Sequence, residues 1–225
     1  MLIRMLVRTA LWSAGLGAFL FAAAGTLRWP AGWVFVLGGG AVAIAMGAVL
    51  ARHDPALLAE RLAPPLQRGQ AAWDRQFIVA AMVAYLAWLV LMALDAARYR
   101  WSVMPPALQI GGGVALLAGF YLVQRTFRAN SFSAPVVKIQ AARGHAVATT
   151  GPYRWVRHPM YSGAAIYFVA TPLMLGSWWG LAAAPLLIAG LGLRAVLEER
   201  YIAARLAGYA DYAARVRWRL LPGVW

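Results

Sequence analysis

Residues Pro159–Leu193 run for 35 positions without a charged side chain. A membrane-crossing helix needs ~20 apolar residues and works with ~17, so this run is too long for one crossing and just long enough for two. Pro172 and the Gly176-Ser177-Trp178-Trp179 stretch fall near its middle and break it. The run therefore predicts a tight helical hairpin inside a bilayer. Spanning backbone must satisfy its own hydrogen bonds, so the expected class is all-α and polytopic.

Four further charge-free runs precede it: Thr9–Leu27, Ala31–Ala51, Gln76–Leu94 and Trp101–Gln124, the last of them helical only after Pro105-Pro106. About six spans result. Only 12% of residues are charged, half the ~25% of a soluble domain. The net charge of +14 would suit nucleic acid, but its distribution argues otherwise. From the N-terminus through successive loops to the tail, the cations number 2, 1, 4, 2, 6, 0 and 6. That alternation obeys the positive-inside rule and puts both termini in the cytoplasm. Trp29, Trp33, Trp101, Trp178 and Trp179 fall at the expected outer ends, as an interfacial aromatic belt. The linker His53–Asp74 has amphipathic stretches expected to lie along the inner surface. Basic residues, an apolar run and Ala22-Ala23-Ala24 also fit a secretory signal, but the run exceeds the usual ~7–15 residues, so an uncleaved first span is expected. Gly38-Gly39-Gly40 and Gly111-Gly112-Gly113 sit inside apolar spans with no preceding strand, and suit close helix packing rather than phosphate binding.

The chain lacks cysteine, which excludes disulfides, thiolate nucleophiles and Cys-ligated metal. His53, His145 and His158 lie far apart with no acidic partner at a ligand spacing. Chemistry-bearing residues gather in two segments assigned to the cytoplasmic side, Lys138–Tyr161 and Arg194–Tyr201. Glu198 and Glu199 are two of only seven acids and stand where the apolar run ends; acids at a span mark function by default. Arg194 lies one turn before Glu198 on the same helix face. Its partner is either Glu198 or a substrate anion. His158-Pro159 opens a span whose free N–H groups favour an anion. Gly151-Pro152 forces a turn that lets Tyr153 and Tyr161 flank one pocket. Arg154, Arg200 and Arg205 suit lipid headgroups.

The motif GHAVATTGPYRWVRHPMY followed by the Glu-Glu pair resembles the signature of the isoprenylcysteine carboxyl methyltransferase family, integral-membrane enzymes that use S-adenosylmethionine. The family pattern runs through a histidine, a short Val-Thr-like strand, Gly-x-Tyr, Arg-His-Pro-x-Tyr and, one hairpin later, Glu-Glu. The tail GYADYAARVRWRLLPGVW resembles the family's C-terminal segment, so the likeness covers about Asn130–Trp225. It implies transmembrane helices with a cytoplasmic linker over 1–100 and a catalytic region over 101–225. It implies S-adenosylmethionine bound along His145, Ala146, Val147 and Ala148, packed by Tyr153, and lined by His158, Pro159, Met160 and Tyr161. Glu198 would hold a polar part of the cofactor with Glu199 in support, Lys138 would add a polar contact, and Arg194 would reach a substrate carboxylate. Methyl transfer from a sulfonium asks a protein chiefly to align acceptor, methyl and sulfur. A guanidinium grips a carboxylate well.

The expected acceptor is a lipophilic small molecule or prenylated group bearing a carboxylate. Methylation of a small thiol or phospholipid amine, nicotinamide-dependent reduction and non-catalytic ligand binding are the alternatives. The expected surroundings are membrane lipids rather than nucleic acid. Arginine-heavy usage and short loops point to a bacterial inner membrane.

Overall fold

In a computed structural model, which describes residues 1–225, all regular structure is helical. The elements are α1 (Leu2–Ala24), α2 (Pro30–His53), α3 (Pro55–Arg61), α4 (Ala72–Ala93), α5 (Pro106–Ala129), α6 (Pro159–Leu175), α7 (Trp178–Ala203) and α8 (Tyr209–Arg215). A single π turn, Leu94–Arg98, continues α4. Five helices (α1, α2, α4 with its π turn, α5 and α7) are long and apolar enough to cross a membrane, and α6 is a sixth apolar helix of 17 residues. The chain is a polytopic helical membrane protein.

Local chemistry sets the boundaries. Proline occupies the start of α2, α3, α5 and α6, where a missing N–H costs nothing. Asp54 caps α3 by accepting from Leu57 N–H at 2.9 Å. The hairpin breaks where expected. Gly176 ends α6 in the left-handed region at φ 86°, which glycine alone enters without strain. Ser177 then caps α7, its Oγ accepting from Gly180 N–H at 2.8 Å.

The core joins Leu20, Phe21, Phe35, Trp88, Leu89, Met92, Leu116, Met174 and Leu175, from α1, α2, α4, α5 and α6. Helices α5 and α6 pack almost backbone to backbone. A methyl group added at Gly112 would meet the Met174 nitrogen at 2.6 Å, and one at Gly163 would meet the Gly119 carbonyl at 3.1 Å. Close approach of this kind holds membrane helices together where no hydrophobic effect can. Of the two glycine triplets, Gly112 and Gly40 serve such contacts, whereas Gly38, Gly39, Gly111 and Gly113 have nothing within 4 Å.

Two expectations change. Trp29 is buried, its ring edge-on to Phe21 at 6.3 Å, so it belongs to the core and not to a surface belt. Trp33, Trp101, Trp178 and Trp179 are exposed. The linker after α2 does not simply lie flat: Leu57 and Leu58 of α3 are buried against Met5, Leu50 and Phe127. Apolar side chains on one side of a seven-residue helix find a better partner in the bundle than in the interface.

Candidate functional site

The helix order brings the start of α4, the end of α5, the start of α6 and the end of α7 to one arginine-rich end of the bundle. The loop from Asn130 to His158 crosses that end. No strand forms in it. Residues after His145 are irregular, so the Val-Thr-like strand of the family pattern is absent. Gly151 adopts φ 57° and starts a 3-10 turn, Gly151–Arg154, which delivers Tyr153 inward as the Gly-Pro pair predicts.

A polar cavity lies under this loop. Lys138, His145, Tyr153, His158, Met160, Tyr161 and Glu198 all line it, joined by Asn130, Phe132, Ser133 and Arg157. Seven of the residues singled out in the sequence thus meet around one space, although Lys138 and Glu198 lie 60 positions apart. Ala146, Val147 and Ala148 follow His145 in the loop without lining the cavity, and Pro159 is buried as the first residue of α6.

The two glutamates have different environments. Glu199 is saturated with cations. Arg157 Nε stands 2.7 Å away, Arg219 Nε donates at 2.9 Å, and His158 Nε2 donates at 3.1 Å. Glu198 accepts from the Tyr161 hydroxyl at 2.5 Å and has His158 Nδ1 4.0 Å away. No arginine or lysine pairs with it. The cavity's own cations are committed elsewhere, Arg157 to Glu199 and Lys138 to Glu60 at 2.6 Å. Glu198 is the one acidic residue facing the cavity. Of the two acids, His158 is hydrogen-bonded to Glu199 alone, and its ring lies parallel to Tyr161, with ring centroids 5.3 Å apart. Phe132 stacks on His145 at 4.6 Å on the opposite wall.

Burial and the Arg143 cation hold the His145 imidazole below its ordinary pKa, against a weaker opposing pull from Glu198. Its Nδ1 accepts from Gln140 N–H at 3.3 Å, as a neutral ring can. Burial pushes the Tyr153 phenol up to about 12, although Asn130 donates to its oxygen at 2.9 Å and partly offsets this. Tyr153 is therefore a neutral hydroxyl at any physiological pH.

The C-terminal tail closes the back of the site. Arg157 N–H and His158 N–H donate to the Trp218 and Arg219 carbonyls at 2.9 Å each. Ser162 Oγ donates to the Leu220 carbonyl at 2.5 Å, and the Tyr212 hydroxyl to the Tyr153 carbonyl at 2.9 Å. The tail thus fixes the backbone that carries the His-Pro turn.

Arg194 does not meet Glu198 in an ion pair. Its partner is Asp74 at the start of α4, 120 residues earlier, at 2.9 Å. Asp74 is fully buried and also accepts from Val137 N–H and Gln70 Nε2, each at 2.9 Å. Sequence reasoning missed Asp74, because only the packing of α4 on α7 brings it near. It also missed Arg157 and Asn130, although both lie within the stretch carrying the family resemblance.

Arg194 faces a second space, an apolar chamber of about 420 Å³ between α2, α5, α6 and α7. Met160 and Tyr161 border both spaces and form the wall between them.

A family model described as "Phospholipid methyltransferase" matches residues 108–207, from the start of α5 to just past α7. The match takes in the polar loop, the hairpin and both glutamates, and likens this part of the chain to a membrane methyltransferase. No curated protein matches the chain.

Proposed function

We propose that the protein transfers a methyl group from S-adenosylmethionine to a lipophilic acceptor, with an acceptor carboxylate in first place. The observation that carries this reading is Glu198, a carboxylate without a cationic partner in a cavity whose other charges are neutralised in pairs. Such a group suits a positively charged or hydroxyl-rich guest. What S-adenosylmethionine supplies when bound is an electrophilic methyl on a sulfonium, which leaves as a carbon–sulfur bond breaks and a carbon–oxygen bond forms.

The donor set fits that guest. Glu198 offers a carboxylate to ammonium or ribose hydroxyls, and its charge complements a sulfonium. His158 holds Glu199 and the Tyr161 hydroxyl holds Glu198. Phe132 and His145 offer flat faces beside the opening, and Tyr153 a neutral hydroxyl. Lys138, tied to Glu60 and Gln67, anchors the loop to the linker rather than reaching inward freely. The cavity measures about 90 Å³, below the ~300 Å³ at which ligand pockets usually begin. A whole nucleoside would need more room than this space offers with the loop as it stands.

The two-chamber layout supports an oily acceptor. A polar guest reaches the site from the loop side, and an apolar one from between the helices, with Met160 and Tyr161 between them. The carboxylate, already ionised, needs no general base, so the protein's task is alignment. The description of the matching family favours a second reading, methylation of a phospholipid amine. The arginine alternation supports a cytoplasmic site, and arginine-heavy usage with short loops supports a bacterial inner membrane.

Calorimetry on purified protein tests the cofactor site. S-adenosylmethionine should bind, and binding should weaken sharply in Glu198→Ala and His158→Ala; undiminished affinity in both refutes the site. Incubation of membranes with methyl-labelled cofactor then tests the acceptor. A base-labile methyl ester supports the carboxylate, and a labelled phospholipid headgroup supports the second reading.

A further inference from the structure

Every arginine or lysine lining the two cavities except one has a carboxylate partner. Arg157 and Arg219 face Glu199, Lys138 faces Glu60, and Arg194 faces Asp74. Arg61, the last residue of α3, has none. Its guanidinium donates to the Ser133 carbonyl at 3.2 Å, approaches Met160 Sδ at 3.6 Å, and lies over the Phe127 ring at 4.6 Å. Burial, then the nearby Arg194 charge, lowers its pKa to about 10. It is still charged at neutral pH, and a half-buried cation without a counter-ion carries a desolvation cost.

Arg61 lines the apolar chamber. Arg61 and Arg194 are its two charged lining residues, and no acid lines it. The remaining wall is largely apolar and includes Val42, Met46, Phe120 and Phe127. Gly39, Ala43, Leu116, Phe120 and Tyr167 also line a second apolar recess of about 160 Å³, which reaches to Trp12 and Leu16 of α1. Together the two spaces make an apolar path with a cation at one end. Gly39 has nothing within 4 Å of where a side chain would start, which keeps that path open.

We infer that Arg61 is the specificity-determining anchor of the acceptor, binding the carboxylate of a long-chain carboxylic acid whose tail fills the apolar chamber. Arg194 is held by Asp74 and shapes the chamber instead. The position of Arg61 favours a carboxylate over a phosphodiester. Its contact with Met160 sets the bound anion directly against the wall shared with the polar cavity. The anion there is itself the group presented for methylation, whereas a phosphodiester would hold its amine one linker further away.

The methylation rests on the function proposed above; the binding does not. The test uses the full chain in lipid nanodiscs with the fluorescent fatty acid cis-parinaric acid and its methyl ester. The unmodified protein should bind the acid about tenfold more tightly than the ester. Arg61→Gln should erase that preference by weakening the acid alone, and Arg61→Lys should keep most of it while losing the Phe127 contact. Arg194→Lys should leave the preference in place. An acid preference that is absent from the unmodified protein, or that survives Arg61→Gln, overturns the inference. So does displacement of the acid by dioleoylphosphatidylethanolamine at lower concentration than by palmitic acid. If the Arg61-dependent preference appears but S-adenosylhomocysteine does not bind and no methyl ester forms, the anchor stands and the methyltransferase reading falls.

Discussion

Helix α4 and its π turn carry a fully buried aspartate at each end, and the two are held in opposite ways. Asp74, at the arginine-rich end, faces the Arg194 guanidinium at 2.9 Å. Asp95, at the other end, faces no cation. Its Oδ2 accepts from Ser102 Oγ at 2.7 Å, Ser177 Oγ at 2.6 Å and Trp179 N–H at 3.3 Å. The same residue type, equally buried, is a charge partner in one place and a latch in the other. Asp95 pins the hairpin turn to the end of α4. Asp74 belongs to a set of ion pairs that surrounds two cavities. The Asp74 end also places two charged groups without an ion-pair partner, Glu198 and Arg61, in the walls of cavities that a ligand could enter.

The largest expected effect breaks the Asp74 end. Asp74→Ala strands Arg194 in the bundle, and loss of one member of a buried pair costs about 3–5 kcal/mol. Thermal unfolding in detergent should show the drop. Asp74→Ala combined with Arg194→Met should recover much of it, because the buried charge goes too. A double variant no more stable than the single would mean that the pair is not what holds α4 to α7.

Next comes the unmatched acid. Glu198→Gln keeps the Tyr161 contact but removes the charge, and should lower methyl transfer about a hundredfold, the cost of misplacing a reacting group. Its unfolding midpoint should stay close to that of the unmodified protein. Initial rates with labelled cofactor measure the first, and the same unfolding assay the second. Activity retained in Glu198→Gln would make Glu198 as structural as Asp95.

Much of this end was legible in the sequence. The crossings follow from uncharged length, and the hairpin break from Gly176 and Ser177. The meeting of His158, Tyr161, Glu198 and Glu199 followed from their place at the two open ends of one hairpin. What was not legible is which charges cancel. Arg194 has a local candidate four residues on, and helical spacing points to it. The bundle instead supplies Asp74, whose nearness depends on α4 packing against α7. Arg61 looked like one of several linker arginines, because nothing in the spacing of Pro55–Arg61 shows that Leu57 and Leu58 would draw α3 into the bundle. Asp95 was hidden in the same way, its donors Ser102 and Ser177 being supplied by two separate turns.

Asp95 should give a smaller effect. Asp95→Asn keeps one acceptor oxygen for three donors and adds an N–H₂ with no evident partner, a loss of about 1–2 kcal/mol. Cofactor affinity should not change, since the latch lies at the far end of α4. A calorimetric titration in which Asp95→Asn weakens cofactor binding as much as Glu198→Gln would erase the distinction between the two ends.

The smallest effect comes from His145 and separates the ends by pH. Its folded pKa lies below the ordinary ~6.5 of an unfolded histidine, because burial and then Arg143 disfavour the cation. The unfolded chain therefore takes up the proton first as pH falls. The stability this contributes is complete above about 6.5 and is lost through the window beneath it. Protonation also ends the acceptance of the Gln140 N–H by Nδ1. His145→Asn should flatten the acid limb of stability between about pH 7 and pH 5, read as a smaller shift in unfolding midpoint between the two pH values. In Asp95→Asn the limb from His145 should persist, because that histidine lies in the loop at the opposite end of the bundle. A limb unchanged by His145→Asn would place the titrating group elsewhere among the charges around Glu198 and Glu199, and would make the cavity itself, rather than its outer wall, the acid-sensitive part of the charged end.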